Sequence, residues 1–147
     1  MEGDFLIEIF EASPSELGDV ANLYAEAAYG AAIDPADTLI LARSGGKLVG
    51  AVRLCAEEGV TVLRGMQIRS TFQRKGIGAQ LLAACQPYLG RRQSFCLPYA
   101  HLVTFYAAAG FELAAEAGLP DFLVRRLNAY NAQAKNVVAM RRDTRGG

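Results

Sequence analysis

The chain has 147 residues, 52% of them hydrophobic, and its 15 basic and 15 acidic residues cancel. This length and apolar content favour one domain over residues 1–147 and exclude a disordered chain, while the balanced charge excludes an overall attraction to nucleic acid or anionic lipid. No apolar run approaches the roughly 20 residues that span a bilayer, and the acidic start is unlike a signal peptide, so we expect a cytoplasmic protein with no nucleic-acid or membrane partner.

The first half of the chain predicts antiparallel strands and one helix. Residues Phe5–Phe10 alternate in polarity or run apolar, with β-branched Ile7 and Ile9, and form the first predicted strand. Ser13, followed three residues later by Glu16, is the capping box that opens a helix. The apolar segments Thr38–Ala42 and Leu48–Leu54 flank a glycine turn, which predicts a β-hairpin.

The second half alternates between strands and helices. The predicted elements, in order, are strand Thr61–Arg69, a helix from Ile77 to Gly90, strand Ser94–Leu97, helix Leu102–Ala109, strand Phe111–Ala114, helix Pro120–Tyr130 and strand Val137–Met140. This order predicts an α/β fold whose sheet is mostly antiparallel early and has one parallel pair around the helix that begins at Ile77.

A basic, glycine-containing turn links the strand Thr61–Arg69 to the next helix. The first amides of a helix lack partners within it and carry partial positive charge, so they attract anions. Gly76 and Gly78 allow the backbone to approach a ligand closely, and neighbouring cations add full charge. The predicted diphosphate site consists of Gln73, Arg74, Lys75, Gly76, Ile77, Gly78 and Ala79.

The spacing of this loop excludes two common nucleotide-binding motifs. Leu81 stands where a dinucleotide fingerprint needs its third glycine, and the Gly-Lys-Ser/Thr order of a P-loop is absent. The pattern Gln73-x-x-Gly76-x-Gly78 instead resembles the pyrophosphate loop of the GCN5-related N-acetyltransferases (GNAT). Downstream, Phe105–Phe111 resembles the FYxxxGF signature of the same family. The resemblance implies acetyl-CoA as the cosubstrate and a primary amine as the acceptor.

The resemblance also implies a fold and a set of site residues. A GNAT-type mixed sheet of about six or seven strands is flanked by helices, and its central parallel strands splay apart to admit the pantetheine arm. The main chain of Met66, Gln67 and Ile68 would then bind the acetyl and pantetheine groups. Tyr106, the tyrosine of the FYxxxGF signature, would protonate the departing thiolate. A homodimer is a usual arrangement for such domains.

Two departures from the family pattern leave two function classes open. Relatives often carry a carboxylate base where this chain has Leu63–Met66, and often an asparagine where it has Tyr99. Glu57 and Glu58, at the preceding turn, either act through water or are solvated turn residues. The chain is therefore either an enzyme or a CoA-binding sensor or partner-binding module without turnover. Transfer of a longer acyl group would change only the donor.

Three arginines are candidates for binding the acceptor. Arg64, on the strand that enters the predicted cleft, has the fork geometry that binds a carboxylate by two parallel bonds, as in an amino acid. Arg125 and Arg126 lie in the predicted helix Pro120–Tyr130 and would suit an acidic substrate. The alternative for all three is an outward-facing, solvated position.

The cysteines and the one histidine do not predict a metal site. Cys55, Cys85 and Cys96 are odd in number and match neither a disulfide framework nor metal-ligand spacing, so we expect reduced core residues. His101 has no second histidine to join it and is expected at the start of a helix.

Overall fold

The structure, a computed structural model, describes residues 6–30 and 32–144. Its described part holds one seven-stranded mixed sheet in the spatial order β1-β2-β3-β4-β5-β7-β6. The strands are β1 Ile7–Glu11, β2 Thr38–Ser44, β3 Lys47–Glu57, β4 Val60–Ile68, β5 Ser94–Cys96, β6 Glu112–Leu113 and β7 Met140–Arg142. Every neighbouring pair is antiparallel except β4 and β5, which run parallel as the sequence predicts.

Over the same described residues, five α-helices and four short 3-10 turns connect these strands. The helices are α1 Leu17–Glu26, α2 Ile77–Ala84, α3 Gln86–Leu89, α4 Val103–Ala107 and α5 Asp121–Ala132. The 3-10 turns cover Pro14–Glu16, Ser70–Phe72, Ala100–Leu102 and Glu116–Gly118. Within the described ranges, no helix has the length and apolar character needed to cross a bilayer.

Successive side chains of each strand point to opposite faces of the sheet, and helices pack on both faces. Leu39 and Leu41 of β2 pack with α1, while Ile40 and Ala42 of the same strand pack in the cluster that contains α2. A third cluster joins α5 to β3, β4 and β5 on the face shared with α1. The result is a three-layer α/β/α core, which surrounds the two parallel strands on both sides.

Local signals in the first half of the chain are confirmed. Ser13 and Glu16 form the capping box, in which the Ser13 amide donates to Glu16 Oε1 at 2.8 Å. The hairpin between β2 and β3 turns at Gly45 and Gly46, whose φ angles are +58° and +83°. Strand β1 covers Ile7–Glu11 rather than Phe5–Phe10, and Phe5 itself lies outside the described residues.

Several predicted boundaries in the second half are wrong. The predicted helix from Ile77 to Gly90 is divided at Cys85 into α2 and α3, because Pro87 in the first turn of α3 lacks the amide that would continue the earlier helix. The last strand lies at Met140–Arg142 instead of Val137–Met140, and Val137 makes only an isolated bridge with Tyr99. The predicted strands Ser94–Leu97 and Phe111–Ala114 shorten to three and two residues.

Candidate active site

The parallel strands β4 and β5 separate after three paired positions. Their last pair is Leu63 with Cys96, and β5 ends there. The chain beyond β5 turns to the other side, where Val138 N donates to Pro98 O at 2.9 Å. In the described structure, Arg64 and the rest of β4 therefore have no strand partner on the β5 side. An open strand edge offers main-chain donors and acceptors to an extended ligand.

A cavity of about 260 Å³ lies where the two strands separate. Met66 and Gln67 of β4 line one wall, and Cys96 at the end of β5 lines the other. Tyr106 of α4 also lines this cavity, so the structure brings together residues that the sequence predicts for the acetyl group and for the acid. Ile68 and the loop from Gln73 to Ala79 are not among the cavity-lining residues.

A bulge in β4 shapes the wall of the cavity just before Met66. The register between β3 and β4 shifts between Ala51 and Arg53, and Gly65 adopts a φ of +66° opposite this shift. Tyr24 of α1 donates from Oη to Gly65 O at 2.9 Å, from the face of the sheet that α1 covers. This bond fixes the bulge, which sets the direction of the main chain at Met66.

The buried ion pair of Arg53 and Asp37 packs against the bulge on the same face of the sheet. Arg53 donates to Asp37 Oδ2 from Nη2 at 2.8 Å and from Nε at 3.1 Å, and it donates from Nη1 to Tyr29 Oη at 2.6 Å. Burial alone would lower the pKa of Arg53, but the hydrogen bond to Asp37 and other nearby groups hold that pKa above its ordinary value. Tyr29 thus joins this buried cluster to the cavity, whose wall it also lines.

The predicted diphosphate loop lies between the end of β4 and the start of α2. Gln73 Nε2 donates to Ile68 O at 3.0 Å and ties the loop to the strand. Gly76 is the N-cap of α2 with a φ of +80°, and nothing lies within 4 Å of a Cβ built there. Gly78 faces the Phe105 ring, which would be 3.4 Å from such a Cβ. The two glycines therefore serve a left-handed turn and a close helix contact respectively.

The amides of this loop point out of the N-terminus of α2. The first backbone bond of the helix runs from Gln80 N to Gly76 O at 3.1 Å, so the amides of Ile77, Gly78 and Ala79 precede it. Arg74, with a φ of +63°, is exposed beside them, as is Lys75. The arrangement has the open amides and adjacent charge that bind phosphate groups at helix N-termini.

Tyr106 is a buried phenol in the cavity wall. Its side chain is 8% exposed and packs edge-on against Phe105 and Phe111, with ring centroids 4.9 and 6.4 Å away. Burial raises the pKa of Tyr106, and Cys96 and Cys85 add to the shift. Among the described residues, none forms a hydrogen bond with the Tyr106 hydroxyl. The phenol therefore keeps its proton at neutral pH and has that proton available in the cavity.

The end of the cavity beyond β4 is lined by positively charged and phenolic side chains. Arg64 comes from β4, Arg126 and Tyr130 from α5, and Lys135 from the segment after α5. Arg126 holds Glu57 through Nη2 at 2.6 Å and Nη1 at 3.3 Å. The hypothesis of an outward-facing Arg64 is wrong, because this side chain lies against the cavity.

Glu57 and Glu58, the possible bases identified from the sequence, do not line the cavity. Glu57 is held by Arg126, as described above, and it also lies 3.6 Å from Arg64 Nη1. Glu58 is exposed in the turn between β3 and β4, with a φ of +48°. Within the described residues, no aspartate or glutamate lines the cavity.

Two polar residues that line the cavity, Tyr29 and Lys135, have no signal in the sequence. Tyr29 follows α1 and Lys135 follows α5, where no periodic pattern marks a side chain for the cavity. Tyr130 differs from them, because it continues the Leu123 and Leu127 face of α5 at helical spacing, and that spacing predicts its position toward the sheet. Its contact with Arg64 joins residues that are far apart in the sequence.

A comparison with protein-family models identifies the family. The acetyltransferase (GNAT) domain model matches residues 11–119, which contain the diphosphate loop, the open edge of β4 and Tyr106. The chain belongs to the GNAT family. The resemblance inferred from the two sequence motifs is thereby confirmed, and this GNAT domain is an acetyltransferase that takes acetyl-CoA as its cosubstrate. A comparison with curated protein sequences found no match.

Solved structures show the same fold at low sequence identity. N-acetylglutamate synthase from Neisseria gonorrhoeae, solved with coenzyme A and N-acetyl-glutamate, has a TM-score of 0.68 and 20% identity over 96% of this chain and 36% of the synthase chain. The GNAT domain thus spans about a third of that synthase. The ribosomal-protein-S18-alanine N-acetyltransferase from Escherichia coli has a TM-score of 0.69 and 14% identity over 97% of both chains. An acyl-CoA N-acyltransferase from Pseudomonas aeruginosa has a TM-score of 0.65 and 19% identity over 93% of this chain and 99% of its own.

Proposed function

We propose that this GNAT domain transfers an acetyl group directly from acetyl-CoA to a primary amine, with Tyr106 as the general acid. The observation that carries the proposal is the buried, protonated Tyr106 phenol in the cavity at the open edge of β4. The proposal treats residues 1–147 as one catalytic domain that acts in the cytoplasm. A homodimer is compatible with it.

Acetyl-CoA would lie along the open edge of β4. The main chain of Met66, Gln67 and Ile68 would bind the acetyl carbonyl and the pantetheine amides, as a further strand binds to a sheet edge. The diphosphate would then meet the amides of the loop from Gln73 to Ala79 at the start of α2. The link from Gln73 Nε2 to Ile68 O supports one continuous binding surface, since it joins the loop to the end of β4.

The reaction needs one nucleophile, one oxyanion and one proton. The lone pair of the neutral amine attacks the thioester carbonyl carbon, and a C–N bond forms while the carbonyl oxygen takes negative charge. The oxyanion collapses and the C–S bond breaks, and Tyr106 gives its proton to the CoA sulfur. The proton lost by the amine leaves to water, which restores the phenol.

The cavity favours this proton transfer although the pKa of the acid is raised. Cys96 lines the same cavity, and burial raises the pKa of its thiol as well. A CoA thiolate that forms in the same poorly hydrated place is therefore a stronger base than it would be in water. Burial therefore raises the pKa of the acid and that of the leaving group in the same direction.

The first experiment measures the thermal midpoint with CoA, acetyl-CoA, ATP and NAD, followed by acetyl-CoA consumption with a panel of amines. A ligand that binds only the folded state raises stability by RT ln(1 + [L]/Kd), so both CoA species are expected to raise the midpoint. The variant Tyr106→Phe should lower kcat roughly 10²- to 10⁴-fold and leave CoA affinity unchanged. Tyr88→Phe is the control, because Tyr88 contacts Glu11 on the surface away from the cavity. A Tyr106→Phe variant with a kcat within twofold of the parent would contradict the assignment.

One observation favours the second candidate, a CoA-binding module without turnover. No carboxylate lines the cavity among the described residues, so no side chain there is an ordinary base for an ammonium group. Such a module would bind both CoA species, yet it would consume no acetyl-CoA with any amine in the panel.

A further inference from the structure

The far end of the cavity carries more positive than negative charge. Arg64, Arg126 and Lys135 line it, and the one carboxylate that contacts any of them is Glu57 in the described structure. The buried pair of Arg53 and Asp37 behind Tyr29 cancels itself. The cavity therefore has an excess of about two positive charges, which attracts an anionic group and repels a second cation.

Arg64 and Arg126 differ in how their guanidinium groups are used. Arg126 donates from both terminal nitrogens to Glu57 at 2.6 and 3.3 Å. The contacts of Arg64 are longer, since its Nη2 lies 3.5 Å from Tyr130 Oη and its Nη1 lies 3.6 Å from Glu57 Oε2. A guanidinium has five donors, and a carboxylate in the cavity would give Arg64 shorter bonds than those it has.

We propose that the acceptor is a small amine that carries a carboxylate, and that Arg64 binds this carboxylate while Lys135 adds charge on the same side. This inference rests on the proposed acetyl transfer and names its acceptor class. The cavity volume of about 260 Å³ is below the roughly 300–1,000 Å³ of pockets for drug-sized ligands, and the acetyl end of the donor shares this space, so the room left favours a small acceptor.

The same charge excess also explains how the amine reacts without a carboxylate base. Nearby positive charges disfavour a further ammonium group and lower the pKa of the bound amine, so more of it is present as the neutral nucleophile. Water can then take the proton. A purely cationic acceptor, such as a polyamine or a lysine side chain, would lack the carboxylate that offsets this repulsion.

The test compares acids with their amides as acceptors. Free L-glutamine and L-alanine, their α-amides, an alanine-initiated dipeptide amide and butylamine are assayed at saturating acetyl-CoA. The acids should exceed the corresponding amides in kcat/KM by about 10- to 100-fold, which is the range expected for a charge-assisted bond. Arg64→Gln should remove most of this preference and leave the KM for acetyl-CoA unchanged, while Arg64→Lys keeps part of it.

The control variant is Arg125→Gln, which removes the same charge from the exposed face of α5. It should keep the preference for acids. Amides, the dipeptide amide or butylamine that react as well as the acids would overturn the proposal, as would a preference that survives Arg64→Gln. If CoA binds but no amine turns over, the acetyl transfer fails, and the acceptor class is decided by calorimetry on the CoA-bound protein. Tighter binding of acids than amides would then support the carboxylate site, and equal or absent binding would overturn it.

Discussion

Replacing Gly65 with alanine tests whether the bulge in β4 is held rigidly. Gly65 has a φ of +66°, which costs an L-residue roughly 1–2 kcal/mol. A Cβ there would also lie 3.0 Å from Tyr24 Oη, 3.1 Å from Arg53 Cδ and 3.1 Å from Tyr29 Cζ. Tyr24 and Arg53 are only 3% exposed and are fixed by hydrogen bonds, so this crowding should add about 1–3 kcal/mol. We expect Gly65→Ala to lower the free energy of unfolding by roughly 2–5 kcal/mol.

Gly59→Ala separates the cost of the positive φ from the cost of crowding. Gly59 has a φ of +85°, but nothing lies within 4 Å of its Cβ position. Urea unfolding should show that this control loses about 1–2 kcal/mol of its free energy of unfolding. The difference between the losses of the two variants then measures the crowding at Gly65. The KM for acetyl-CoA should rise in Gly65→Ala alone, since only that change displaces the main chain at Met66. Equal losses of stability in the two variants would refute the argument that Tyr24, Tyr29 and Arg53 hold the bulge.

Three further changes have definite expected results. Asp37→Ala removes one partner of the buried pair with Arg53 and should lower the free energy of unfolding by about 3–5 kcal/mol; a loss below 1 kcal/mol in urea unfolding would contradict the pairing. Gly76→Ala places a side chain at a φ of +80° in open space, so CoA titration should show weaker binding with only about 1–2 kcal/mol lost from stability; unchanged affinity would count against the loop. Burial raises the pKa of Cys85 to about 12 from an unfolded value near 9.0, so the unfolded thiol ionises first and stability should fall from about pH 9 toward pH 12. Cys85→Ala should reduce that slope by up to about 1.4 kcal/mol per pH unit, and unfolding curves at pH 9, 10 and 11 would show whether it does.

Elements specified by neighbouring residues were predictable from the sequence. The capping box needs only Ser13 and Glu16, and the hairpin needs only the two glycines at its turn. The parallel pair followed from a strand, a glycine loop and a helix in succession, a short-range pattern with a restricted set of connections. In each of these cases the deciding interaction lies within a few residues.

Elements that depend on distant partners were not predictable in the same way. Arg141 and Arg142 have no strand pattern, yet β7 forms there because Met140 and Arg142 pair with β5. The predicted strand segment at Val137 is instead bound to the end of α5, where Asn131 donates to Val137 O and accepts from Val137 N at 3.0 and 2.8 Å. A side chain that occupies both polar groups of a residue prevents that residue from continuing a ladder.

The residues of the candidate site also fall into those marked by short motifs and those that depend on distant contacts. The motifs mark the loop from Gln73 to Ala79 and Tyr106, because cofactor handling uses main-chain geometry that short patterns encode. The far end of the cavity is built from Tyr29, Arg64 and residues of α5, which approach one another only through the fold.

The positive charge at the far end of the cavity relates two features of the site, the absence of a carboxylate base and the proposed acceptor. A chain that kept a carboxylate on β4 would have an internal base, and it would then repel an acidic acceptor. This GNAT domain has Arg64 on that strand, which reverses the charge of the wall and favours an acceptor with its own carboxylate. The same charge lowers the pKa of the amine that must attack. If the acceptor is the carboxylated amine proposed above, the preference for acids and the reactivity of the bound amine both depend on the positive charge of Arg64, and both should weaken together in Arg64→Gln.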